Sequence, residues 1–167
     1  MNIAAIRILG VDPGLRNTGW GLIEVHGARL SFVACGSIQT DAATSLAGRL
    51  ASIHCALTAL IERDRPHEAA VEETFVNRDP QSTLKLGQAR GVTLAALALR
   101  DLPVSEYAAN LIKKTVVGVG HAEKPQVAMM VRMLLPASNA STADAADALA
   151  VAICHAQHRR ARARGAA

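Results

Sequence analysis

Ile6 to Val25 reads IRILGVDPGLRNTGWGLIEV, and this stretch decides the fold. IRILGVD is a short apolar run closed by a turn signal, the pattern of a buried strand ending at Asp12. PGLRNTG is rich in turn formers. WGLIEV, Trp20 to Val25, is a second strand, HGA turns the chain again, and RLSFVACGSIQT is a third. Two short connections imply antiparallel neighbours, because a parallel return needs a crossover of a dozen or more residues. The chain therefore opens as a three-stranded meander with an acid at the end of its first strand.

Further along, SLAGRLASIHCALTALIERDRP has apolar residues at helical spacing (Leu46, Leu50, Ile53, Leu57, Leu60, Ile61) and stops before Pro66. HEAAVEE reads as a fourth strand and FVNRDPQ as a loop. STLKLGQARGVTLAALALR reads as a helix expected to break or pack closely at Gly87 and Gly91, and LPVSEY as a fifth strand. A short helix from about Ala108 to Thr115 leads through the turn VVGVGHAEK to the helix KPQVAMMVRMLL. The loop PASNAS then precedes a last helix in STADAADALAVAI, Ser141 to Ile153. The pattern predicts an α/β fold: a five-stranded mixed sheet, three antiparallel strands and then parallel ones, with helices on both faces.

A chain of 167 residues fits one domain, expected over residues 1–158, with a basic, disordered tail over 159–167. At 50% hydrophobic and 19% charged it is globular, and with only 2% aromatics its core must be aliphatic and alanine-rich. No apolar run reaches the ~18 residues of a membrane span. MNIAAIRILG lacks the features of a signal peptide, so the expected compartment is the cytoplasm. Cys35, Cys55 and Cys154 have no zinc-site spacing with the six histidines and read as reduced core residues. Of the 18 basic residues, Arg159, Arg160, Arg162 and Arg164 lie in the tail; the other 14 balance the 14 acids. An anionic partner would thus meet local patches rather than a uniformly basic surface.

Four acids end or interrupt apolar elements. Asp144 and Asp147 stand three residues apart on an alanine-rich helix, where like charges share a face and repel. A capping box from Ser141 to Asp144 accounts for the first of them but leaves Asp147 over. Asp12 ends ILGVD, where it also suits a turn before Pro-Gly, and Glu72 ends AAVE with Glu73 next. Neighbouring first and fourth strands would bring Asp12 and Glu72 side by side, and a helix packed over them would complete the set. All-oxygen ligands suit a hard cation, Mg²⁺ or Mn²⁺, and two such ions roughly 4 Å apart suit phosphodiester hydrolysis. Lys113, Lys114 and Lys124 surround the glycine turn and either neutralise phosphate or form an ordinary solvated face. Phe75 either stacks on bases or plugs the strand end. Arg78, in the same loop, is assigned to DNA contact.

The runs LGVDPGLRNTGWG, AVEETF, LKLGQARGV, YAANLIKKTVVGVGHAEK and ADAADALAVAI, spanning roughly Ile8 to His155, resemble the RuvC family of crossover junction endodeoxyribonucleases. The resemblance implies an RNase H-like fold and a homodimer with two Mg²⁺ per active site, Mn²⁺ substituting. It implies paired nicks in four-way (Holliday) DNA junctions during recombination and repair, leaving 5′-phosphate and 3′-hydroxyl ends. RuvA and RuvB branch-migration proteins are the implied partners. By position the catalytic and metal-binding acids fall on Asp12, Glu72, Asp144 and Asp147. The functional lysines fall on Lys113 and Lys124, the junction-contacting aromatic on Phe75, and the dimer helix on about Thr83 to Arg100. Glu73 beside Glu72 departs from the pattern, although strand alternation lets only one point inward. A phosphate loop of actin-like ATPases is the competing enzyme reading, but it needs a second such domain. A junction-binding protein without catalysis would not need all four acids.

Overall fold

β1 (Ile6–Asp12), β2 (Asn17–His26) and β3 (Arg29–Gln39) form the meander, antiparallel throughout. The computed structural model describes residues 5–76 and 78–165. After α1 (Leu46–Asp64), β4 (Glu68–Glu72) pairs parallel with β1. After α2 (Pro80–Ala98), β5 (Val104–Tyr107) pairs parallel with β4. The sheet order is β3-β2-β1-β4-β5, the five-stranded mixed sheet expected. α3 (Ala109–Val117), α4 (Lys124–Leu134) and α5 (Ala143–Gly165) complete the chain.

Period-2 alternation divides the core into two layers. Leu9, Val11, Leu22, Ala69 and Val71 pack with α1 and α2. Ile8, Ile23, Val25, Ala70 and Tyr107 pack on the other face with α3, α4 and α5. Asp12 and Glu72, each one residue past a residue of the α1–α2 layer, therefore belong to the α5 side.

α5 lies against the sheet with backbone touching backbone. A Cβ on Gly10 would collide with the Ala148 carbonyl, and one on Gly19 with the carbonyl of Asp144. The alanines of α5 answer those glycines: Ala145, Ala148, Ala150 and Ala152 are all essentially inaccessible to solvent.

Several boundaries differ from the sequence reading. β2 begins at Asn17 because Thr18 Oγ1 donates to Gly14 O at 2.7 Å, which closes the turn early. α2 starts at Pro80, capped by Asp79, whose carboxylate accepts from Gln81 N and Ser82 N. α2 neither breaks nor packs at Gly87 and Gly91: the helix is continuous, and a Cβ at either would meet nothing within 4 Å among the described residues. Both glycines sit on its open face, so the helix simply bears their lower propensity, ~1 kcal/mol each. α5 is capped by Thr142, whose hydroxyl accepts from Ala145 N at 3.2 Å, in place of the Ser141–Asp144 box. The segment from Arg159, expected to be disordered, continues α5 to Gly165. Alanine and arginine are strong helix formers, and Arg159 Nε is anchored on Glu68 Oε1 at 2.7 Å. Residues 166–167 of that tail and residues 1–4 lie outside the described residues.

Candidate active site

Gly10 pairs with Ala70 and Val11 with Val71, so the parallel register carries Asp12 and Glu72 to the same end of the sheet. α5 crosses above them and contributes Asp147. α3 and α4, on the same face of the sheet, bring in Lys113 and Lys124. Together these five side chains line a cleft of about 230 Å³, with Ala109, Ile112, Val127 and Ala150 as its apolar wall. Glu73 is excluded from that end cluster by alternation, and its N–H donates to Tyr107 O at 2.9 Å. Asp144, in the first turn of α5, stands outside the cleft walls, but its charge acts on both Asp12 and Lys124.

The electrostatics are those of a site short of positive charge. Burial, and then the negative charges of Glu72 and Asp147, push the Asp12 carboxyl up to about 7, against a partial offset from Lys124. Burial and Asp147 likewise raise Glu72, while Lys124 and Lys113 pull it down. Lys124 is raised in turn by its hydrogen bond to Asp147, Nζ to Oδ2 at 3.1 Å. Carboxylates desolvated and crowded together hold protons unless a cation joins them. The donor set is all oxygen, which fits a hard divalent ion. No three acids among the described residues are arranged as ligands around one point. Among the described residues, the one cation in direct contact with an acid of the cluster is the ammonium of Lys124, on Asp147.

The remaining candidates lie on the rim or outside it. Phe75 is 62% exposed, so it does not plug the strand end. Arg78 is exposed in the same loop, and Lys114 is exposed and lines no part of the cleft. The capping box of Glu123 and Gln126 fixes the start of α4 and hence the base of Lys124.

Sequence reasoning missed a buried polar chain behind the cleft. His155 bridges Tyr107 Oη and Glu68 Oε2, at 2.8 Å from each ring nitrogen, and Arg159 holds the other oxygen of Glu68. Burial alone would raise the Glu68 carboxyl, but the hydrogen bonds from Arg159 and His155 outweigh it and hold the group below its ordinary value. The chain fastens α5, and with it Asp147, to β4 and β5. The available signal was that Glu68 shares a strand face with Glu72.

The family model described as "Crossover junction endodeoxyribonuclease RuvC" matches residues 8–155. A Methylocella silvestris protein named crossover junction endodeoxyribonuclease RuvC is 69% identical over 163 residues, 98% of this chain and 93% of that one. The structure of Thermus thermophilus RuvC in complex with Holliday junction substrate superposes with a TM-score of 0.87 at 33% identity, covering 94% of this chain and 96% of that one. The yeast mitochondrial Holliday junction resolvase Ydc2 shares the fold, with a TM-score of 0.65 at 13% identity over 97% and 86% of the two chains.

Proposed function

The chain belongs to the RuvC family of crossover junction endodeoxyribonucleases, with its RNase H-like fold, and from that premise we propose how it cuts. The substrate is a four-way DNA junction. Asp12, Glu72, Asp144 and Asp147 would hold two Mg²⁺, with Mn²⁺ as a substitute, once the ions draw the four carboxylates together. The observation that carries this reading is the convergence of buried, proton-holding carboxylates with two lysines in one cleft.

Ions held there would supply an acidified water and neutralisation of the departing 3′-oxygen. The chain's own residues do the rest. Asp12 and Glu72, on rigid strand ends, set the spacing of the site. Asp147 reaches in from α5, and Asp144 adds charge at the edge. Lys113, in the cleft wall, offsets the charge that develops on the phosphoryl oxygens. Lys124, Lys114 and Arg78 meet the DNA backbone, and exposed Phe75 stacks against a base at the junction. The nuclease unit is residues 1–158, and the extension of α5 from Arg159 is tied to it through Glu68.

The active species is a homodimer built on α2. Its open face presents Leu84 and Leu99, 68% and 72% exposed, beside Gly87 and Gly91, which leave room for a second helix. Two such sites would make the paired nicks, leaving 5′-phosphate and 3′-hydroxyl ends, in a cytoplasmic pathway of recombination and repair shared with RuvA and RuvB. No helix among the described residues is long and apolar enough to cross a membrane.

A labelled synthetic four-way junction tests the reading. Paired nicks are expected in Mg²⁺, with binding and no cutting in Ca²⁺, whose coordination is larger and looser. Asp147→Asn should abolish cutting and keep binding, with an unchanged circular dichroism spectrum. A junction left intact by the wild type in both Mg²⁺ and Mn²⁺ would refute the metal assignment.

A further inference from the structure

A second groove lies at the same end of the sheet as the acids and is made by none of them. Arg16 and Asn17 form one wall and Gln39 to Ala42 the other, around a volume of about 630 Å³. Register places it. Asp12 pairs with Gly19, and two residues back along β2 Asn17 pairs with Gln39. At ~3.3 Å per strand residue, the groove begins about 7 Å from the level of Asp12. β2 lies one strand over from β1, a further ~4.8 Å, so groove and acid cluster are neighbours that one DNA strand can span.

The frame of this groove is held at several points. Thr40 Oγ1 donates to Leu15 O and accepts from Arg49 Nε at 2.8 Å, and Arg49 Nη2 also reaches Leu15 O. Thr40 N donates to Arg16 O at 3.0 Å, so the turn is tied to the exit of β3. Asp41 Oδ1 accepts from Ala43 N at 2.9 Å. What remains outside this frame is polar and unpaired. Among the described residues, the Arg16 guanidinium and the side-chain amides of Asn17 and Gln39 make no hydrogen bond or ion pair. A cation on a pinned turn, flanked by two amides beside a phosphodiesterase cleft, has the chemistry of a backbone clamp.

We propose that this groove seats the junction strand beside the scissile bond, with Arg16 pairing a phosphate oxygen and Asn17 and Gln39 contacting sugar–phosphate atoms. The proposal rests on the nuclease reading above and adds a contact surface to it. Asp41 is the one opposing charge in the wall, so its removal acts in the reverse sense.

The test measures binding of the full-length chain to a labelled four-way junction in Ca²⁺ over a salt series, followed by mapping of cut sites in Mg²⁺. Arg16→Ala should weaken binding about three- to tenfold and lower the slope of log K against log salt by ~0.9, with cut positions unchanged. Asp41→Asn should tighten binding. Arg29→Ala, which removes the same charge from the opposite end of the sheet, is the control, and thermal melts check that each variant folds. The clamp is overturned if Arg16→Ala matches Arg29→Ala in affinity and slope. It is also overturned if cut positions move while the slope stays, since Arg16 would then read a base. A wild type that neither binds nor cuts junctions would instead bring down the nuclease reading, and this inference with it.

Discussion

Asp12→Asn should make the metal-free protein more stable. Asp12 keeps its proton up to about pH 7 instead of 3.8, because ionising it costs burial and repulsion from Glu72 and Asp147. That interval, at ~1.4 kcal/mol per pH unit, is on the order of 4 kcal/mol. The sign follows from linkage. Between those values the folded chain holds a proton that the unfolded chain has released, so stability falls as pH rises through the window. Asparagine has the shape of the neutral acid and never ionises. In EDTA, urea titrations should show the variant and wild type nearly equal at pH 4. At pH 8 the variant should lead by ~2–4 kcal/mol, some 5–15 °C in melting temperature for a chain of this size. Divalent ions should then reverse the ranking, since they stabilise only the chain that keeps the carboxylate. A variant less stable than the wild type at pH 8 in EDTA would refute the reasoning, because Asp12 would then be paired in a way the cleft does not provide.

Three further outcomes are expected. Gly19→Ala drives a methyl into the Asp144 carbonyl and should cost ~3 kcal/mol or more, read by urea titration. Lys113→Ala should slow single-turnover cutting about 10²-fold while its junction affinity in Ca²⁺ stays within twofold, and equal losses in both would make it a docking residue. Glu68→Gln should lose ~1–3 kcal/mol at pH 7. Since the Glu68 carboxyl is held below its ordinary 4.5, that difference should shrink as pH falls through and below this value, as followed by thermal melts at graded pH.

Much of this was legible because the informative signals are local. Short apolar runs and turn residues gave the meander, and alternation along AVEE separated Glu72 from Glu73. What stayed hidden depends on what each residue meets far along the chain. Whether Gly87 and Gly91 are packed or open is decided by α1 and β5, which leave that side of α2 free. Phe75 is apolar yet exposed, because the loop after β4 carries it away from both layers. The Ser141 and Thr142 hydroxyls are adjacent, and only the helix start at Ala143 selects the second as cap. His155 and Glu68 are 87 residues apart. Arg16 reads as one more turn residue in sequence, and only the register that sets Gln39 opposite Asn17 makes it a groove wall.

The seam between the glycines of the sheet and the alanines of α5 bears on how the enzyme fails. Where main chain rests on main chain, the separation of Asp12 from Asp147 is fixed by peptide dimensions and not by the fit of large side chains. Loosening the aliphatic layers by trimming Ile53 or Leu57, for example, lowers the melting point without altering that separation. Specific activity per folded molecule should then stay level as stability erodes, and vanish only when the chain unfolds as a whole. A library selected for cutting would in that case tolerate drift in the α1 layer and almost none along the seam.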